Sequence, residues 1–252
     1  MSQNLTLPRV IGHRGAAEAA PENTLAGFRE AKRQGAAWVE FDAKLSADNR
    51  CFLLHDDTVD RTTNGKGAAR EKSWDELAAL DAGSWKGPQF AGERLPLLKD
   101  ALALFAELDL AFNLELKPCP GRDIETARLV LAELRQSWPT SRPTPLISSF
   151  DLPCLEVARD EFPEFPRGLL LEAHPADWTA IARRLDVATV NVWDRDATAD
   201  WAGEIKAAGY GLLVYTVNDA ERAAQLIAWG ADGVFTDAPR RVGARILDLP
   251  AR

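Results

Sequence analysis

The chain has 252 residues, a formal net charge of −8, 46% hydrophobic and 27% charged side chains. This balance supplies a full core and excludes a disordered chain, and an acidic chain without basic runs excludes a nucleic-acid binder held by counterion release. No apolar run approaches the roughly 18 residues of a membrane span, and "MSQNLTLPRV" lacks a leader pattern, so a cytoplasmic location is expected.

Short β-branched and apolar runs alternate with helical patterns, the signature of a parallel α/β architecture. The first predicted strand, 10–12, runs into "GHRG" and then "PENT", where Asn23 or Thr24 starts a helix over 24–34. Strands follow at 38–45 and 51–55, joined only by "SADNR". That link is too short for a parallel crossover, so the two form a hairpin; an Asp48-Asn49 turn would place Asp42 opposite His55. Residues 57–96 are Gly-rich and polar with one short helix at 73–80, and read as an insertion beside the functional end of the fold. Helix 98–108, strand 112–116 and helix 124–136 come next, then the Pro-stiffened connector "SWPTSRPTP". The remaining strands are 146–149, 168–172, 189–193, 212–216 and 233–236, separated by helices 152–161, 175–185, 198–208 and 219–229. Subtracting the returning hairpin strand leaves a TIM (β/α)8 barrel, expected as a single domain over 1–252.

In such a barrel the functional residues sit at the C-terminal strand ends. Read in order, those ends present His13 and Arg14, Glu40 and Asp42, His55, then Glu115 and Lys117. Glu40 and Asp42 are two apart on a strand and share a face. Two carboxylates facing inward need a compensating cation or proton, and Glu115 adds a third. An oxygen-only set suits one hard divalent cation, Mg2+ or Ca2+, rather than zinc. Two imidazoles beside it suit proton transfer, and Arg14 and Lys117 suit phosphate oxygens, the one as a planar fork and the other as a point charge. Each feature alone also fits a structural strand end; it is their shared placement that favours chemistry. Glu172, Trp193 and Tyr215 are possible rim residues, with Phe235 a further strand-end aromatic. His174 is expected to start a helix before Pro175, and Cys51, Cys119 and Cys154 to pack.

The strings "GHRGAAEAAPENTLAGF", "VEFDAKLSADNRCFLLHDDTVDRTTNGKG", "NLELKP", "SSF", "VYTVND" and "GADGVFTDAP" together resemble the glycerophosphodiester phosphodiesterases, the compact bacterial cytosolic type above all. The resemblance runs from Arg9 to Pro239. It implies a metal-dependent hydrolase that cleaves glycerophosphodiesters such as glycerophosphocholine and glycerophosphoethanolamine to sn-glycerol 3-phosphate and an alcohol. It also implies His13 and His55 as the acid/base pair, Glu40, Asp42 and Glu115 as metal ligands, and Arg14 and Lys117 as phosphate-binding residues. A lysophospholipase D-like enzyme, the related barrels of phosphatidylinositol-specific phospholipase C and sphingomyelinase D, and a catalytically silent phosphate-ester binder are the alternatives.

Overall fold

A computed structural model describes residues 5–250; residues 1–4, on which the leaderless reading of the N-terminus partly rests, lie outside it. The elements are β1 (Val10–Gly12), α1 (Leu25–Arg33), β2 (Trp38–Leu45), β3 (Cys51–Leu53), α2 (Trp74–Ala78), α3 (Leu98–Leu108), β4 (Ala111–Leu116) and α4 (Asp123–Ser137). They continue through β5 (Leu146–Ser149), α5 (Leu152–Glu161), β6 (Arg167–Leu171), α6 (Trp178–Arg184), β7 (Thr189–Trp193), α7 (Ala199–Ala207), β8 (Gly211–Tyr215), α8 (Ala220–Trp229), β9 (Gly233–Thr236) and α9 (Pro239–Ile246). Among the described residues the sheet order is β1-β9-β8-β7-β6-β5-β4-β2, closed by a β1–β2 pairing, with β3 antiparallel on β2. This is the TIM barrel with its extra hairpin strand.

The alternation in "WVEFDAKL" decides how β2 faces. Val39, Phe41, Ala43 and Leu45 point out into the helical layer, so Glu40 and Asp42 point in. Behind those carboxylates Phe41 packs on Phe28, Phe105 and Phe112 with ring centroids 6.0, 5.2 and 5.5 Å apart. Such aromatic pairs add roughly 0.5–1.5 kcal/mol each beyond their buried area, and here they fix the strand that carries the acids. The barrel interior below the mouth is filled by Ile11, Trp38, Leu146 and Leu213, packed with Phe235, which also reaches the hollow above.

Three expectations are corrected. The hairpin register is one residue off: Ala43 pairs with Leu53 and Leu45 with Cys51, so Asp42 lies opposite Leu54, not His55. The cause is the turn, which spans Ala47, Asp48 and Asn49 between Ser46 and Arg50, with Asn49 at φ +62°. A three-residue loop ending in a left-handed residue is a standard hairpin connection, and it ends the ladder at Leu53 so that His55 sits on a loop. Finally, α9 was not expected, because "PRRVGARI" has a sparse apolar stripe; Val242, Gly243 and Ile246 nonetheless bury against the outside of the barrel.

The insertion has its own small core, in which Phe52, Leu54, Val59, Leu77, Leu95 and Leu97 meet. Within it α2 is closed by a reciprocal Ser73–Glu76 capping box, and the Asp81 carboxylate accepts from the backbone of Gly83, Ser84 and Gly92. It is therefore a built wall over one side of the barrel mouth.

Candidate active site

Glu40, Asp42 and Glu115 converge, each offering one carboxylate oxygen so that all three atoms lie within 4.8 Å of one another. Burial, with Asp42 and Glu115 alongside, pushes the Glu40 carboxyl well above the usual carboxylate range. Burial and the Asp42 charge push Glu115 up to about 7. Burial also works against charge on Asp42, but Arg14, His55, Lys117 and the Asn23 amide outweigh it and hold this carboxyl below the usual range. Burial opposes the Lys117 ammonium as well, yet Glu115 and Asp42 keep its pKa raised, and Nζ donates to Glu115 Oε1 at 2.7 Å.

The donor set fits a hard divalent cation on an observation independent of sequence. Glu40 Oε1 and Asp42 Oδ1 are buried without a hydrogen-bond partner, and so is Arg14 Nε beside them. Two orphaned acceptors call for a cation, while Arg14 Nε sits within ion-pair distance of Asp42 Oδ2 with its hydrogen-bond position unused.

The loop after β1 supplies the first cation and the first imidazole. Arg14 adopts φ +49° and Gly15 φ +96°, a left-handed pair in which a Cβ on Gly15 would lie 2.6 Å from the Gly27 carbonyl carbon. That turn aims the Arg14 backbone N–H at Glu40 Oε2, 3.0 Å away, while Nη1 donates to Glu22 at 2.8 Å and Nε lies 3.4 Å from Asp42. "PENT" now has a residue-by-residue role. Glu22 holds Arg14; Asn23 donates to Asp42 Oδ2 at 2.8 Å and accepts from the Asp42 backbone N–H; Thr24 caps α1 by accepting from Gly27.

Each histidine is oriented by a carboxylate that sequence reading passed over. His13 Nδ1 donates to Asp237 and His55 Nδ1 to Asp56, both at 2.7 Å. A carboxylate on Nδ1 fixes the tautomer and leaves Nε2 for the hollow. Burial lowers the His55 pKa against the pull of Asp42, while Arg61 first and His55 second hold Asp56 down to about 2 against burial. Asp56 is the first carboxylate of "HDD" and Asp237 the middle residue of "FTDAP", and neither string tells that its carboxylate turns onto an imidazole.

Above the barrel His13, Arg14, Glu40, His55, Glu115 and Lys117 line a hollow of about 330 Å³, with Asp42 buried behind them, and its remaining wall is Phe150, Leu170, Glu172, Trp193, Tyr215 and Phe235. Glu172, Trp193 and Tyr215 thus all reach it. Phe150 was missed; its ring lies 4.9 Å beneath Lys117 Nζ and packs edge-on against Tyr215. Tyr215 donates its hydroxyl to Leu171 O at 2.9 Å, and burial raises its pKa. Asn113 and Ser148, bonded to each other, floor the hollow. A groove of about 300 Å³ shares His13 and Arg14 and runs out beneath Trp85 and Lys86 of the insertion. His174 is elsewhere, stacked on Trp201 at 4.4 Å with Nε2 3.2 Å from Glu204. The three cysteines are buried and free.

A TIM barrel whose mouth combines paired, carboxylate-oriented histidines, an acidic cluster and two cations defines a phosphoric diester hydrolase. Residues 13–241 match the model of the Glycerophosphoryl diester phosphodiesterase family. The chain is 32% identical to a glycerophosphodiester phosphodiesterase of Caldanaerobacter subterraneus over 234 residues, 91% of this chain and 94% of that one. A solved Oleispira antarctica phosphodiesterase, in complex with the product sn-glycerol-3-phosphate, superposes with a TM-score of 0.93 at 40% identity, covering 96% of this chain and 98% of that one. An Agrobacterium tumefaciens glycerophosphodiester phosphodiesterase gives a TM-score of 0.78 at 27% identity, with 94% and 100% covered. The chain belongs to the glycerophosphodiester phosphodiesterase family. Among the described residues no helix is long and apolar enough to cross a membrane.

Proposed function

We propose that this chain hydrolyses glycerophosphodiesters such as glycerophosphocholine and glycerophosphoethanolamine to sn-glycerol 3-phosphate and an alcohol, using His13 and His55 as the acid/base pair. The observation that carries this is the set of unpartnered buried atoms, Arg14 Nε, Glu40 Oε1 and Asp42 Oδ1, in a mouth flanked by two oriented imidazoles. The product named for the Oleispira antarctica relative supports the same substrate class.

Glu40, Asp42 and Glu115 would hold one Mg2+ or Ca2+, which would set positive charge against the phosphate oxygens and the attacking hydroxyl. Arg14 and Lys117 bind the phosphate, Arg14 through the nitrogen left free by Glu22 and Lys117 by exchanging part of its contact with Glu115. One histidine Nε2 takes the proton of the glycerol 2-hydroxyl as its oxygen attacks phosphorus. The other donates a proton to the departing alcohol oxygen, and water then opens the cyclic phosphate with the two roles exchanged. A diester has two arms, and two hollows meet at His13 and Arg14. The hollow ringed by strand ends takes the glycerol common to all substrates; the groove under Trp85 takes the variable alcohol.

The test is a panel of glycerophosphodiesters and lysophospholipids incubated with cation-loaded protein, following the released alcohol together with its phosphate product, glycerol 3-phosphate from the diesters and lysophosphatidate from the lysophospholipids, against a chelated control. Release from the diesters alone, abolished by chelation, is the expected result. Preference for lysophospholipids would move the chain to a lysophospholipase D-like role, and binding without release would make it a silent binder.

A further inference from the structure

The phosphate-facing arginine and one of the proton carriers belong to a single ion-paired chain. Arg61, from the insertion, donates through Nη1 and Nη2 to Glu22 at 2.7 and 2.8 Å, and through Nε and Nη2 to Asp56 at 2.7 and 3.0 Å. Glu22 in turn accepts from Arg14, and Asp56 accepts from His55. The sequence of contacts His55–Asp56–Arg61–Glu22–Arg14 spans three segments: the loop after β1, the loop after β3 and the insertion. An exposed ion pair ordinarily contributes little. Arg61 differs because both edges of its guanidinium are used in fork geometry at once, which a lysine cannot reproduce. Its backbone is also fixed, since the adjoining Thr62 and Thr63 are buried and Thr63 Oγ1 donates to Val59 O.

We propose that Arg61 is a positioning residue for the reaction: it holds Glu22 so that only one edge of Arg14 is consumed, and it holds Asp56 so that His55 presents Nε2 to the hollow. The insertion thereby sets the distance between the phosphate clamp and a proton carrier. Without Arg61, Glu22 turns fully onto Arg14 and draws it from the phosphate, and Asp56 is free to swing the imidazole. This rests on the acid/base reading above.

The experiment compares wild type with Arg61→Lys and Arg61→Ala, both checked for an unchanged thermal transition, in two readouts. In steady-state hydrolysis of glycerophosphocholine, Arg61→Lys is expected to lose about 10²-fold in kcat/KM, the scale of a small misplacement of reacting groups, with kcat falling and KM rising together. In imidazole NMR of metal-free protein, wild-type His55 should show the single tautomer protonated at Nδ1 that its bond to Asp56 fixes, and Arg61→Ala should lose that single tautomer to a mixture. The NMR readout needs no turnover, so an inactive wild type would overturn the functional reading while still testing the brace. Wild-type kinetics in Arg61→Lys, or a His55 tautomer unchanged in Arg61→Ala, would overturn the proposal.

Discussion

The two walls of the barrel mouth differ in kind. Strands β1, β2 and β4 present His13, Arg14, Glu40, Asp42, Glu115 and Lys117, whose charges are nearly all engaged with one another; strands β5 to β8 present Phe150, Leu170, Trp193 and Tyr215. The charged wall is costly to bury and keeps Arg14 Nε, Glu40 Oε1 and Asp42 Oδ1 without hydrogen-bond partners. The opposite wall is mainly aromatic and aliphatic, with the Glu172 carboxylate among its lining and one unpartnered amide nitrogen, Asn191 Nδ2, on β7.

If this division is right, changes on the charged wall cost the most. Replacing His13 or His55 by Ala should lower kcat about 10²–10⁴-fold with the fold intact by circular dichroism, the usual worth of general acid–base assistance. Retention of near wild-type turnover by either variant removes that residue from the mechanism. Lys117→Met should lower kcat/KM about 10²-fold, comparable to losing one charge-stabilising donor, and steady-state kinetics with a single diester would read it.

The same wall predicts how stability depends on pH. Glu115 is raised from its ordinary 4.5 to about 7 in the folded chain, so the folded state binds the extra proton. Its contribution is fully present below about pH 4.5 and is lost as pH rises through about 7, amounting to on the order of 3 kcal/mol. Metal-free protein should therefore resist urea better at pH 5 than at pH 8, and Glu115→Gln should flatten that difference. An equal slope in the variant would place the proton elsewhere.

On the apolar wall the effects should be smaller and different in form. Trp193→Ala should raise KM by a similar few-fold factor, worth about 1 kcal/mol, for every diester in the panel, as the proposed seating of the shared glycerol arm against this wall requires. A rise confined to one alcohol would reverse the assignment of the two arms. Tyr215→Phe loses the hydrogen bond to Leu171 O and about 1 kcal/mol of stability, with kcat unchanged.

Both walls were partly legible in the sequence: Glu172, Trp193 and Tyr215 line the hollow from their strand ends, and Phe150 beside them was missed. Glu40 and Asp42 were readable because strand alternation places every second residue on one face, and Phe41 between them had to go outward. Placing His55 required the length of a turn, and Asn49 in a left-handed conformation changed the register by one residue. His55 still reaches the hollow because it rides on the loop beyond the hairpin. Asp237, Asp56 and Arg61 were out of reach because their meaning lies in partners remote in sequence or in which of several carboxylates turns inward. α9 escaped because amphipathicity over eight residues with three arginines reads as surface.

The central claim is that the buried carboxylates of the charged wall form a divalent-cation site beside the two histidines. Calorimetric titration of Mg2+ and of Ca2+ into metal-free protein tests it most directly, with Asp42→Asn run in parallel. The account predicts one saturable site per chain for at least one of these ions, proton release that grows as pH falls toward 6, and affinity lost in Asp42→Asn. No saturable binding of either ion, or equal affinity in the variant, would contradict it.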